Sequence, residues 1–199
     1  MTASAATPQP FRLHPFRWSS GLTRPAIRGQ ATRREGCLVV SLWMEGALRP
    51  ELGSPGLRQA PPQRRDGLWQ HTCLEAFVAL PGSGAYWEIN GAPNGDWAVY
   101  RFSGYRSGRE SPEAIADPDA VLARGGAPLA SPDQDCVMSG SLRWRLPDEL
   151  QRASALDLSV CLVLECADAG DADHISHWAT AHCGEEADFH RRDSLRIRL

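Results

Sequence analysis

Lysine is absent. All twenty-one basic residues of this 199-residue chain are arginine, which excludes a Schiff base, a phosphate-loop lysine and a Ser-Lys dyad. Long apolar runs are missing too. The apolar stretch Leu38–Met44 stops at Glu45, far short of the length that spans a bilayer. The six cysteines (Cys37, Cys73, Cys136, Cys161, Cys166 and Cys183) contain no C-x-x-C pair, so neither a zinc ribbon nor a thioredoxin-like motif is indicated. No Ser-His-Asp order, nucleophile elbow or nucleotide-binding glycine loop is present.

An export signal is also lacking. Thr32-Arg33-Arg34-Glu35-Gly36-Cys37-Leu38 faintly suggests a twin-arginine leader, but the apolar stretch behind it is short and has no small-residue cleavage site. It reads as a strand. The sequence therefore predicts a cytoplasmic protein with reduced thiols, and Cys161 and Cys166 read as small buried hydrophobes.

Net charge is −3 and unevenly spread: residues 1–65 hold ten arginines against three acids, +7, and the remainder carries −10. A basic first third can signal a nucleic-acid or membrane partner. Here no run of consecutive basic residues exceeds two, and the arginines are not interleaved with aromatics as in a single-strand binder. The two portions read as partners within one fold, with no nucleic-acid or membrane contact.

What is plentiful is Gly (18) and Pro (15), which favours many turns over long helices. The length suits one domain that buries roughly 70% of its unfolded surface. Residues 1–10 read as a flexible segment and 11–199 as a single domain. Phe11–Arg34 suggests an early edge strand and irregular coil. Cys37–Glu45 is the first firm strand, followed by the proline-rich loop Arg49–Asp66. Trp69–Leu80, Ala85–Gly91 and Asp96–Tyr105 form an antiparallel meander, broken by Pro81-Gly82-Ser83-Gly84 and Ala92-Pro93-Asn94-Gly95. Asp117–Gly126 reads as a strand or one helical turn. Cys136–Leu146, Leu156–Cys166, Asp173–His182 and Leu195–Leu199 are further strands. The alternation in Leu156–Cys166 is the cleanest in the chain. About ten short strands and no useful amphipathic helix predict an all-β antiparallel sandwich.

Function is sought where polar groups interrupt apolar strands. Glu75, and Glu88 with Asn90, sit in such strands, and burying them is costly without hydrogen bonds. A hydroxyl-rich ligand supplies those bonds and stacks on tryptophan. The bland alternative pairs the acids with Arg101 or Arg106 and leaves the tryptophans in the core. A second candidate is the C-terminal segment, where His174, Ser176, Trp178, Thr180 and His182 share one strand face and Asp188-Phe189-His190 follows. Its histidine spacing matches no standard zinc pattern, so no metal is assigned. Glu75 and Glu88 also raise a carboxylate-dependent hydrolase as an alternative.

The blocks Trp69–Val78, Tyr86–Phe102 with Tyr105-Arg106, and Ile175–His182 with Asp188–His190 resemble the bacterial DOMON-like family. That family is similar to family-nine carbohydrate-binding modules and to haem- or sugar-binding DOMON domains. The resemblance implies a sandwich of about ten strands with a ligand site on one sheet face. It makes Trp69, Trp97 and Trp178 the candidate platforms and Glu88, Asn90 and Arg106 the candidate polar partners; Glu75, Tyr105, His182 and His190 complete the candidate ligand-binding set. His177 and Cys183 depart from the family pattern, where tyrosine and proline are expected. The implied protein is a non-catalytic module for a carbohydrate or another small polar metabolite. A haem-binding DOMON domain is an alternative; Met44, Met138 or the pair His174 and His182 would supply its axial ligands.

Overall fold

The computed structural model describes residues 7–18, 23–46, 50, 61–124, 136–165 and 175–199. Eleven strands account for nearly all of its regular structure: β1 (Gln9–Pro15), β2 (Ala26–Arg34), β3 (Cys37–Glu45), β4 (Cys73–Ala79), β5 (Tyr86–Gly91), β6 (Trp97–Phe102), β7 (Asp119–Arg124), β8 (Cys136–Arg145), β9 (Asp157–Glu165), β10 (Ile175–Ala179) and β11 (Ile197–Arg198). The helix α1 (Asp148–Gln151) is a single turn. Among the described residues no helix is long and apolar enough to cross a membrane.

All ladders between these strands are antiparallel, and they form two layers. One runs β6-β5-β4-β9-β10, with β11 on the far end of β9; the other runs β1-β2-β3-β8-β7. The layers join where His14 and Pro15 of β1 pair with Ala179 and Trp178 of β10. The expected all-β antiparallel sandwich is the fold found. β1 is thus a junction strand rather than an edge, and its first residues, Gln9 and Pro10, precede the expected domain start at Phe11. Sequence reading also passed over β2, which makes a tight hairpin with β3. Its turn, Glu35-Gly36, has φ of 52° and 73°, the left-handed pair that two-residue hairpins require. Asp119–Arg124 resolves as a strand, and the histidine-bearing strand is described from Ile175 to Ala179, ending before His182. Cys166, His174 and residues 51–60 of the proline-rich loop lie outside the described residues.

Between the layers lies the main core. Leu38, Val40, Leu42 and Met44 of β3 meet Leu74, Ala76 and Val78 of β4, Ile89 of β5 and Leu158, Val160, Leu162 and Leu164 of β9. At Gly91 an added Cβ would lie 2.2 Å from the Cβ of Ala120, so β5 approaches β7 of the other layer without room for a side chain.

The β6-β5-β4-β9-β10 layer is apolar on its outer face as well. Cys73, Phe77, Tyr86, Ala98, Tyr100, Phe102, Cys161 and Val163 form a second cluster with Phe189 and Leu195 from the C-terminal segment. All seven residues of β4 and all six of β5 are buried in consequence. Arg192 pins that segment down by donating to the Leu80 and Ser83 carbonyls and to the Asp157 carboxylate.

Candidate ligand-binding site

Register alone places the chemistry. On the outer face, Glu75 of β4 lies directly between Cys161 of β9 and Asn90 of β5, and Asn90 pairs on with Ala98 of β6. One row along, Phe77 pairs with Glu88, and Glu88 with Tyr100. One row the other way, Cys73 pairs with Val163, and Val163 with His177. Two carboxyls and an amide therefore occupy the middle of an apolar sheet face.

Above them is a pocket of about 370 Å³, lined by Trp69, Glu75, Phe77, Glu88, Tyr100, Phe102, Arg106, Arg109, Val163, His177, Ala187, Phe189 and His190. Trp69 stands on a short 3₁₀ turn, Leu68–Gln70, just before β4, edge-on to Tyr100 with ring centroids 6.1 Å apart. Phe189 and His190 come from the C-terminal segment and meet the Phe77 ring at 6.4 and 5.3 Å.

The floor is tightly buried: Glu75 is 2%, Glu88 4% and Asn90 0% exposed. The Asn90 amide donates to Glu88 Oε1 at 2.8 Å, which leaves Asn90 Oδ1 and Glu75 Oε1 as buried acceptors without a partner. Burial, reinforced by the charge of Glu88, holds the Glu75 carboxyl well above the usual carboxylate range. Burial pushes Glu88 up to about 7, against the opposing pull of the Asn90 hydrogen bond, Arg109 and Arg106. Cys73 and Cys161, flanking Glu75, are raised by burial as well, so both thiols stay protonated and unreactive.

His190 is fixed by hydrogen bonding. The Arg106 backbone N–H donates to the Tyr86 hydroxyl at 3.3 Å, and that hydroxyl lies 2.7 Å from His190 Nδ1. The other ring nitrogen, Nε2, lies 3.8 Å from Glu88 Oε2. Burial, aided by Arg106, lowers His190 to about 4, so the imidazole is neutral at neutral pH. At the rim, Arg106 adopts a left-handed φ of 49° and pairs with Asp188 at 2.9 Å. Tyr105, 61% exposed, donates its hydroxyl to the same carboxylate. Burial opposes ionisation of Asp188, but the bonds from Tyr105 and Arg106 outweigh it and keep this carboxyl below its ordinary value.

Of the residues singled out from sequence, Trp69, Glu75, Glu88, Arg106 and His190 come together around the pocket. Asn90 supports the floor, and Tyr105 stands at the rim in an adjoining open trough. Three do not join them. Trp97 pairs with Gly91, one residue out of phase with Asn90, and faces the interlayer core. Trp178 is fully buried in the same core and donates from Nε1 to Ser176; its neighbour His177 takes the pocket-facing position instead. His182 sits behind Phe189, against Phe16, and donates from Nε2 to the His14 carbonyl at 2.8 Å. Met44 and Met138, considered as haem ligands, pair with each other across β3 and β8 and are fully buried in that core. Sequence reading missed Phe77, Arg109, His177 and Phe189 as lining residues. Phe77 shares the two-residue phase of Glu75 on β4 and His177 lies opposite Val163 in the next row, so those two were legible; Arg109 and Phe189 come from segments outside the strands that no local period encodes.

No protein-family model matches the chain, and no curated protein matches it in sequence. Solved structures do match. A candidate carbohydrate-binding protein from Bacteroides uniformis superposes with a TM-score of 0.54 at 12% identity, covering 92% of this chain and 84% of that one. The two share a fold. A family-nine carbohydrate-binding module from Caldicellulosiruptor kristjanssonii matches at 12% identity in its glucose complex (TM-score 0.41, 81% of this chain and 69% of that one) and in its cellotriose complex (0.42, 85% and 72%).

Proposed function

We propose that the chain is a non-catalytic binding module whose pocket takes a carbohydrate or a comparable hydroxyl-bearing metabolite. One observation carries this reading: the buried Glu75 Oε1, without a partner among the described residues, lies at the base of a pocket walled by Trp69, Tyr100 and Phe102, and Asn90 on the next strand carries a second such oxygen. A buried unsatisfied polar group costs about 1–3 kcal/mol. A ligand rich in donors offsets that cost while its apolar face lies on the rings. The Bacteroides uniformis protein that shares the fold supports the same reading, as does the DOMON-like resemblance.

Titration calorimetry against mono- and disaccharides tests the proposal. The expected result is saturable binding that Trp69→Ala weakens about tenfold, the size of a lost stacking contact, with the melting temperature lowered by no more than about 4 °C. A folded protein that binds no sugar overturns it.

A further inference from the structure

Both hydrogen-bonding capacity and charge are lopsided at the pocket floor. Its polar side chains offer carboxyl and carbonyl oxygens, and the Asn90 amide directs one of its two N–H donors to Glu88. The nearby cations are engaged elsewhere. Arg106 is paired with Asp188 at 2.9 Å, and Arg109 lies 3.6 Å from Asp66 and over the Tyr100 ring. Among the described residues the one ion-pair contact to Glu88 is from the neutral His190, and Glu75 has none. Two carboxyls thus share a floor on which Arg106 and Arg109 act from the wall without an ion-pair contact, and among the described residues nothing satisfies Glu75 Oε1.

We propose that the pocket is shaped for a ligand bearing a protonated primary amine beside its hydroxyls, with the ammonium seated on Glu75 and Glu88 and the rest of the ligand against Trp69 and Tyr100. This rests on the reading of the pocket as a ligand site and narrows its ligand class. An ammonium carries three donors and no acceptor, whereas a hydroxyl brings acceptor lone pairs with its single donor. Once the two carboxyls are ionised the floor presents acceptors, and it then fits the first better. The aromatic rings lining the pocket add attraction for a cation through their negative faces.

In the empty pocket, protons take the place of the missing cation. Glu88 is faced by Glu75 from β4, Tyr100 from β6, Tyr86 on its own strand, His190 and Asp188 from the C-terminal segment, and Arg106, Arg109 and Asp66 from the loops. Cys73, Cys161 and His177 complete the surroundings on β4, β9 and β10. With Glu88 titrating near 7, seating an ammonium expels its proton. Affinity for an amine must then climb as pH rises towards 7, by linkage.

The experiment is calorimetry with D-glucosamine, D-glucose, N-acetyl-D-glucosamine and cyclohexylamine between about pH 5.5 and 7, in buffers of different ionisation heat. Expected is glucosamine binding at least about tenfold tighter than either neutral sugar, with roughly one proton released per ligand and an affinity rising about tenfold across that range. Glu88→Gln, close in shape, removes most of the pH dependence. Neutral sugars binding as tightly as glucosamine, without proton release, overturn the amine and leave the sugar pocket standing. Cyclohexylamine binding where no sugar does keeps the amine and overturns the sugar. If none of the four binds, both readings fall.

Discussion

A tryptophan's worth in this protein depends on which side of one sheet it occupies. Trp178 has no exposed surface and packs between the layers, its Nε1 bonded to Ser176 at 2.9 Å. Removing such a side chain leaves a cavity as well as losing transfer energy, so Trp178→Ala should cost about 3–5 kcal/mol. Trp69 is only partly buried and stands on a turn beside the pocket. Its truncation should cost less than about 1 kcal/mol while weakening ligand binding. Urea unfolding of the two variants checks this contrast; equal losses would mean that Trp69 is structural. The reverse assignment of Trp97 and Trp178 was natural from sequence because tryptophan suits a core and a stacking platform equally. Only the ladder register, Gly91 opposite Trp97 and Val163 opposite His177, separates the two roles.

At the level of the strand, β4, β5 and β9 explain how far sequence reading could reach. Alternation was legible: Glu75 and Glu88 each fall in an apolar strand, and the Leu156–Cys166 pattern marks β9 without ambiguity. Which phase faces inward was not, because this layer is buried on both faces and apolar residues line each of them. The outer face is covered by the C-terminal segment, a contact between residues far apart in sequence that no local period encodes. β2 was missed for a related reason. Its Gln, Arg and Thr residues face outward between Ile27, Gly29 and Ala31, and that weak apolar stripe gains strand character only through pairing with β1 and β3. Gly91 is a sharp test of the strand packing. Gly91→Ala places a methyl against Ala120 and should cost about 1–3 kcal/mol as overpacking, readable as a lower urea midpoint. An unchanged midpoint would show that β5 and β7 are not in contact.

On the scale of the whole molecule, the site lies outside the sandwich core, so its titrating groups are coupled to global stability by burial rather than by core packing. Burial raises Glu88 from 4.5 to about 7, and Glu75 further above its ordinary range. The folded state therefore binds protons more tightly than the unfolded one. The stability they contribute is complete below about 4.5 and is lost as pH climbs through about 7. His190 works in the opposite sense. Burial lowers it from 6.5 to about 4, so its contribution is present above about 6.5 and is lost as pH falls through about 4. The two trends oppose each other between those values, and above 6.5 the carboxyls alone continue to act. The unliganded protein should then be most stable at mildly acidic pH, with a melting temperature that declines from about pH 6.5 to 8.5. Glu88→Gln should reduce the decline around pH 7 and leave the share of Glu75, and His190→Gln should unmask a loss of stability from about pH 4.5 upward by removing the opposing trend. Scanning calorimetry of the three proteins from about pH 4 to 8.5 decides the matter. A wild-type melting temperature that keeps rising beyond pH 8 would mean that Glu75 and Glu88 are already ionised and paired in the empty pocket.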